Sequence, residues 1–186
     1  MRDYWVAMTY TPAQLADRET IRDAVLRYCR GVDRLDAELM KSAYWPDAID
    51  EHGAFSGNAH DFVEYCMTAH LKWRWTMHSV LNHSIDLDDD ELSARGEVYN
   101  VTTMCRVDSA VIETWYGRYL DLYDKRGDEW RIQHRVCVYH GTQLAGASPM
   151  EMDTSNYLDG SFDRPSRGRP LGPPGAGKTS GRPTNQ

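Results

Sequence analysis

The chain has 186 residues, of which 41% are hydrophobic and 26% are charged, a composition typical of one globular domain. Its net charge of −7 argues against a nucleic-acid surface, because phosphate binding requires concentrated Lys and Arg. No run approaches the roughly 18 apolar residues of a membrane helix, and residues 1–10 lack the basic-then-apolar order of a signal peptide. We therefore expect a cytoplasmic protein whose partners are small molecules or protein, and neither nucleic acid nor membrane.

Helices are predicted in the first part of the chain. Residues 11–14 have the pattern of a capping box, and an apolar stripe at helical spacing carries the first helix to about Gly31, with Asp33 at its C-terminal end. A second short helix near residues 36–44 should end before Pro46, because the residue before a proline disfavours helix. Residues 58–61 offer an N-cap for a third helix.

From Trp73 onward the apolar period becomes alternating, as in a strand. The alternation places Met77, Ser79, Leu81, His83, Ile85 and Leu87 on one face and His78, Val80, Asn82 and Ser84 on the other. Turn-like breaks separate further β-rich runs at about 92–107, 110–124 and 129–140. The predicted class is therefore α+β, with N-terminal helices packed into a curved antiparallel sheet that forms a cone-shaped barrel with an internal cavity.

The composition changes near the C-terminus, where Pro, Gly, Ser and Arg prevail and large apolar residues are scarce. We predict a catalytic domain over residues 1–145 and a flexible extension over residues 146–186. The stretch from Gly172 to Thr179 spells GxxxxGK followed by Thr, as in a P-loop. A phosphate cradle also needs a strand before it and a helix behind it, which this stretch lacks, so we predict no nucleotide site.

Several segments, in their order and spacing, resemble the SnoaL-like branch of the nuclear transport factor 2-like superfamily over residues 11–142. They are Tyr28-Cys-Arg-Gly-Val-Asp33, Tyr44-Trp-Pro-Asp-Ala48, Thr76-Met-His78-Ser-Val-Leu-Asn82, Gly117-Arg-Tyr119 and Trp130-Arg-Ile-Gln-His-Arg135. Within that branch the sequence is similar to cofactor-independent lyases: scytalone dehydratase, lindane dehydrochlorinase, bile-acid 7α-dehydratase and diarylpropane lyases. The resemblance implies the same conical fold and no cofactor.

The resemblance also implies a carboxylate and imidazole dyad, Asp33 and His78, with Tyr28 and Arg135 as further catalytic residues. Histidine can take up and return a proton near neutral pH, and an adjacent carboxylate fixes its tautomer and stabilises the imidazolium. An arginine can offset negative charge that develops on the substrate. The acidic residue that bile-acid dehydratases use on the next strand has no match near residues 99–102.

Each of these four residues also has a purely structural interpretation. Asp33 could bond local amides at a helix end, and His78 could be an ordinary residue of a polar strand face. Arg135 could form an ion pair on the surface of the sheet, and Tyr28 could belong to the apolar stripe of the first helix. Periodicity by itself does not choose between the two interpretations.

The histidines, cysteines and aromatic residues restrict the kinds of site that the chain can form. The remaining histidines form no compact ligand motif, and the four cysteines form no CxxC pair, so we predict neither a metal site nor a redox thiol pair. Aromatic side chains are numerous enough to bind an aromatic or polycyclic ligand by stacking. The predicted substrate-binding residues are Tyr44, Trp45, His52, Phe55, Asn82, Tyr99, Trp115, Tyr119 and Tyr139.

We therefore predict a lyase without cofactor that acts on an aromatic or polycyclic small molecule. Dehydration or a related elimination fits best, and a retro-aldol-like loss of formaldehyde from a lignin-derived diarylpropane would use the same residues. Two alternatives stay open. One is a non-catalytic small subunit of a ring-hydroxylating dioxygenase or a ligand-binding scaffold; the other is a polyketide cyclase or isomerase. A homo-oligomer, dimer or trimer, would cover an open sheet face.

Overall fold

A computed structural model describes residues 9–146 and Ser155. The helices are α1 (Pro12–Arg34), α2 (Ala37–Lys41) and α3 (Ala59–Ala69), and a short 3-10 turn (His70–Lys72) follows α3. The strands are β1 (Tyr44–His52), β2 (Phe55–Asn58), β3 (Trp73–Leu87), β4 (Ser93–Arg106), β5 (Ile112–Arg126) and β6 (Glu129–Ala145). The P-loop-like stretch and the rest of the predicted extension beyond Gly146, apart from Ser155, lie outside the described residues.

Helix α1 begins as predicted. The Thr11 hydroxyl accepts a hydrogen bond from the Gln14 backbone N–H at 3.2 Å, and the Gln14 side chain accepts one from the Thr11 backbone N–H at 3.0 Å. The helix runs past Gly31 and ends where Leu35 takes up a left-handed conformation, with φ of 50°. Asp33 therefore lies in the last helical turn, where the geometry of the helix determines the direction of its side chain.

Two strands were missed by the sequence analysis. Strand β1 starts at Tyr44, where a helix end was predicted, and β2 pairs with it antiparallel before Asn58 caps α3 as predicted. Pro46 cannot donate a hydrogen bond to a neighbouring strand, and the pairing of β1 with β6 is interrupted between Tyr44 and Ile49. Because proline is typical of loops, a strand that contains one is not predicted from the residue pattern.

The sheet has six strands in the order β2-β1-β6-β5-β4-β3. The predicted antiparallel meander is confirmed for β3 to β6. The helices packed into a curved sheet are as predicted; the sheet as a whole is mixed, because β1 runs parallel to β6, and it is not closed. The helices pack on the concave side, and the class is α+β as predicted.

The predicted faces of β3 were wrong beyond Val80. The pairing of β3 with β4 shifts between Val80 and His83, which inserts one extra residue into β3. One extra residue exchanges the two faces of a strand. His78 and Val80 therefore face inward together with His83, whereas Asn82 is exposed. Asn82 does not share a face with His78.

The outer side of the sheet exposes large apolar side chains, among them Leu120 and Leu122. The predicted homo-oligomer stays a prediction, for which this outer side would be the surface to bury. None of the helices within residues 9–146 is long and apolar enough to cross a membrane.

Gly31 allows α1 and α2 to approach closely. A Cβ at this position would lie 2.6 Å from the backbone nitrogen and 2.6 Å from the Cβ of Met40, which is fully buried. A backbone atom cannot move aside as a flexible side-chain end can. We expect Gly31→Ala to lower the free energy of unfolding by about 1–3 kcal/mol, in spite of the better helix propensity of alanine.

Urea unfolding monitored by circular dichroism measures this change. Gly141→Ala is the matched control, because a Cβ there would meet nothing within 4 Å. A Gly31→Ala variant as stable as the wild type would show that α1 and α2 can separate without cost.

Candidate active site

The carboxylate of Asp33 accepts three hydrogen bonds from the start of β3. Its Oδ1 lies 2.7 Å from Nδ1 of His78 and accepts from the Thr76 hydroxyl at 2.7 Å, and its Oδ2 accepts from the His78 backbone N–H at 2.9 Å. Thr76 and His78 share a face because they are two residues apart in a strand. A carboxylate accepts only, so Nδ1 of His78 carries the proton and Nε2 is left with a lone pair.

His78 lies at the wall of two adjoining cavities of about 220 and 130 Å³. His52 and His70 also line both. The larger cavity adds aromatic side chains such as Tyr28 and Phe62, and the smaller one adds Trp115 and Tyr119. The His78 side chain is only 8% exposed, so a bound molecule would meet its Nε2 in a site largely shielded from water.

Tyr28 packs edge-on against His78, with ring centroids 6.3 Å apart and planes at 86°. Burial, followed by the nearby Tyr119 and Tyr44, raises the pKa of Tyr28 well above its ordinary value. The side chain is therefore a phenol at neutral pH, able to donate a hydrogen bond to a substrate oxygen. Both the catalytic and the core interpretation of Tyr28 are compatible with this position, since the residue lines the cavity and belongs to the buried face of α1.

Arg135 is fully buried beneath the tyrosines and is absent from the walls of both cavities. Its Nε and Nη2 each donate to Asp121 at 2.7 Å, and its guanidinium carbon lies 4.4 Å and 4.1 Å from the ring centroids of Tyr28 and Tyr119. The surface ion pair considered from the sequence is instead a buried one. Arg135 has no exposed surface with which to touch a substrate, and its positive charge lies against the rings of Tyr28 and Tyr119.

His70 was set aside by the sequence analysis, although the structure places it in the cavity wall. Its Nδ1 lies 3.1 Å from the carbonyl oxygen of Cys66, which can only accept, so Nδ1 donates and Nε2 accepts. Burial, with a further contribution from His78, lowers the pKa of His70 to about 4. The residue lies in the turn between α3 and β3. The sequence could not identify it as a cavity residue, because that requires knowing that α3 and β3 both flank the cavity.

Several predicted substrate-binding residues do lie at or next to the cavities. His52, Trp115 and Tyr119 line them, and Phe55 packs on the cavity residue Phe62 with ring centroids 5.2 Å apart. Tyr44 is fully buried and donates its hydroxyl hydrogen to Asp50 at 2.6 Å. Tyr44 therefore lies behind the residues that line the cavity and does not line the cavity itself.

Other predicted binding residues lie elsewhere. Trp45 packs beneath Arg126 and Arg131, and Tyr99 is exposed beside Arg118. Asn82 is exposed after the irregularity in β3. Tyr139 is 61% exposed and lies on the same face of the sheet as Trp115, with ring centroids 6.5 Å apart. Their residue types suggested stacking, but none of the four lines either cavity.

No carboxylate lies opposite His78 on β4. Thr102 pairs with His78 in register, and the buried Asn100 donates to Thr102 and Tyr119. Over the described part of the chain, no group of three or more His, Cys, Asp or Glu side chains is arranged to hold a metal ion. The titratable side chains that line the two cavities are the imidazoles, the tyrosine phenols, the Cys66 thiol and Lys72, with Asp33 bonded to His78 behind the wall.

Residues 13–136 match the SnoaL-like domain, and the chain belongs to that family. None of the curated proteins compared matches the sequence. The fold is that of several solved structures, including the three below, which are 15–18% identical to the chain.

A protein from Novosphingobium aromaticivorans named provisionally as a scytalone dehydratase is 17% identical, with a TM-score of 0.65 over 77% of this chain and 100% of its own. A hexachlorocyclohexane dehydrochlorinase of LinA type 3 from Novosphingobium barchaimii is 15% identical, with a TM-score of 0.67 over 76% and 98%. A provisional aromatic ring hydroxylase from Novosphingobium aromaticivorans is 18% identical, with a TM-score of 0.63 over 74% and 96%. Such similarity identifies a fold in which lyases occur.

The lowered pKa of His70 makes folding depend on pH. The unfolded chain binds a proton at His70 near pH 6.5 and the folded protein only near pH 4, so this contribution to stability is present above about pH 6.5 and is lost as the pH falls toward 4. Between pH 7 and pH 5 we expect the free energy of unfolding to fall by about 1–2 kcal/mol more in the wild type than in His70→Gln. Urea unfolding at the two pH values measures it.

His134→Gln is the control, because His134 is partly exposed and paired with Glu51 outside the cavity. An identical pH dependence of His70→Gln and wild type would mean that the pKa of His70 does not differ between the folded and the unfolded protein.

Proposed function

We propose that the protein is a cofactor-independent lyase in which His78 removes a proton from a carbon next to an activating group. The observation that carries this proposal is the hydrogen bond of His78 Nδ1 to Asp33, which directs a basic Nε2 toward a cavity lined by aromatic rings. The adjacent bond then breaks, and the leaving group departs with the bonding electrons. The product gains a carbon–carbon double bond.

An imidazole can remove a proton from carbon only if the negative charge left on the carbon is delocalised or stabilised. A carbonyl next to the acidic carbon does this by forming an enolate, and the Tyr28 hydroxyl is the donor placed to hold the enolate oxygen. The positive charge of Arg135, 4.4 Å from the centre of the Tyr28 ring, favours negative charge at that point. Asp33 stabilises the imidazolium that forms on His78.

The ring-lined cavity favours an aromatic or polycyclic substrate. The names of two structural neighbours describe losses of water and of hydrogen chloride, which proceed by the same abstraction of a proton. Loss of formaldehyde from a diarylpropane would use the same base on a hydroxyl proton. A non-catalytic scaffold would have no use for an aspartate that holds a histidine in one tautomer at a cavity wall.

A β-hydroxy derivative of α-tetralone tests the proposal, because loss of water turns it into fluorescent α-naphthol. We expect the wild type to catalyse this reaction and His78→Gln and Asp33→Asn each to lower kcat/KM by about a hundredfold or more, the usual contribution of a general base. Hexachlorocyclohexane is the second probe, with chloride release as the readout. His134→Gln should behave as the wild type.

Two results would contradict the proposal. One is wild-type turnover that survives both His78→Gln and Asp33→Asn, because the reaction would then proceed without the dyad. The other is a folded wild-type protein that turns over neither probe.

A further inference from the structure

A second carboxylate, Asp50, lies buried next to the cavity. It is fully shielded from solvent on β1, and its Oδ2 accepts a hydrogen bond from the Tyr44 hydroxyl at 2.6 Å. Its Oδ1 has no hydrogen-bond partner. A buried carboxylate oxygen without a partner is costly, and the mechanism above gives Asp50 no role.

His52 is the nearest candidate partner. It lies two residues further along β1, and its Nδ1 is 3.5 Å from Asp50 Oδ1. This Nδ1 is also buried and without a hydrogen bond. The distance is slightly too long for a hydrogen bond, but a small rotation of the ring would close it. The imidazole is stacked on Phe62, with ring centroids 4.9 Å apart and planes at 19°.

The buried Nδ1 leaves Nε2 as the ring nitrogen that a ligand can reach. His52 lines both cavities, as His78 does. Three strands, β6, β5 and β4, separate β1 from β3 in the sheet. The curvature of the sheet therefore brings two imidazoles, each with a carboxylate at its Nδ1, to one cavity from strands far apart in the sheet.

We propose that Asp50 and His52 form a second acid–base pair of the same site and that His52 donates a proton to the leaving group while His78 removes one from carbon. This inference rests on the proposed function. The step requires His52 as an imidazolium beside Asp50 and His78 as a neutral imidazole. The substrate proton passes to His78 Nε2, the bond to the leaving group breaks, and that group takes the His52 proton. A proton then passes from His78 to His52 through solvent, which restores the protonation states that both residues had before the reaction.

Two neighbouring side chains are less suited to donate this proton. The pKa of His70 lies at about 4, so its imidazole is neutral and carries its single N–H toward Cys66. The pKa of Tyr28 is raised well above its ordinary value, so full transfer of its proton would leave a buried phenolate. Besides His78, His52 is the cavity imidazole that has a carboxylate beside it to stabilise its charged form.

Two probes separate the two histidines. Unsubstituted α-tetralone has no leaving group, so exchange of its α-hydrogens for deuterium in D₂O, followed by NMR, reports removal of the proton only. The β-hydroxy derivative reports removal and departure together. We expect His78→Gln to lower both rates by about a hundredfold, whereas His52→Gln should lower elimination about a hundredfold more than exchange. The matched control is again His134→Gln, since His134 is also a carboxylate-paired imidazole.

The outcomes distinguish the inference from the proposed function. A wild type that catalyses neither exchange nor elimination overturns the function and the inference with it. A wild type that is active, with a His52→Gln variant that retains the wild-type ratio of elimination to exchange, overturns the inference and leaves the function of His78 intact.

The tautomer of His52 gives a test that needs no substrate. With the Asp50 carboxylate beside it, neutral His52 should carry its proton on Nδ1. In Asp50→Asn, an amide oxygen can still accept from Tyr44 while the amide nitrogen faces His52, so the proton should move to Nε2. Ring nitrogen shifts in NMR spectra of labelled protein measure this. An unchanged His52 signal in a folded Asp50→Asn protein contradicts the pairing, and if that variant does not fold, the ratio measured for His52→Gln decides.

Discussion

The ion pair between Arg135 and Asp121 is the constraint around which the concave side of the sheet is organised. Both side chains have no exposed surface, and a charge removed from water needs an opposite charge beside it. Asp121 supplies the opposite charge through two hydrogen bonds, and it also accepts one from Tyr123. The faces of Tyr28 and Tyr119 cover the guanidinium. A cluster of tyrosines thus surrounds a buried cation, and their rings form the floor of the candidate site.

Three imidazoles above this floor differ in what binds their Nδ1. His78 faces the carboxylate of Asp33, His52 lies near that of Asp50, and His70 donates to a backbone carbonyl. A carboxylate stabilises an imidazolium, whereas a carbonyl in a buried site leaves the ring neutral. The same side chain can therefore serve as a base, a proton donor or a neutral acceptor within one cavity. The environment of Nδ1 thus separates His70 from the two histidines that have a carboxylate beside them.

The meander, the helix caps and the α+β class could be predicted from sequence because each depends on local chemistry. Thr11 and Gln14 cap a helix through residues three apart, and alternating apolar side chains specify a strand within a few residues. Strands β1 and β2 could not be predicted, since Pro46 and Gly57 are typical of loops and β1 is held by β6, more than eighty residues away along the chain. The face of Asn82 was wrong because an irregularity in strand pairing leaves no clear mark in the sequence.

The sequence by itself determined that an aspartate ends the first helix and that a histidine begins the first long strand, and the family resemblance paired them. Only the tertiary structure decided that the Asp33 carboxylate accepts from Nδ1 of His78, that Arg135 is buried below the site, and that His52 and His70 share the cavity. The physical reason is that these relations join residues far apart in sequence. They depend on the curvature of the sheet and on the packing of α1 against it, which no local pattern of residues encodes.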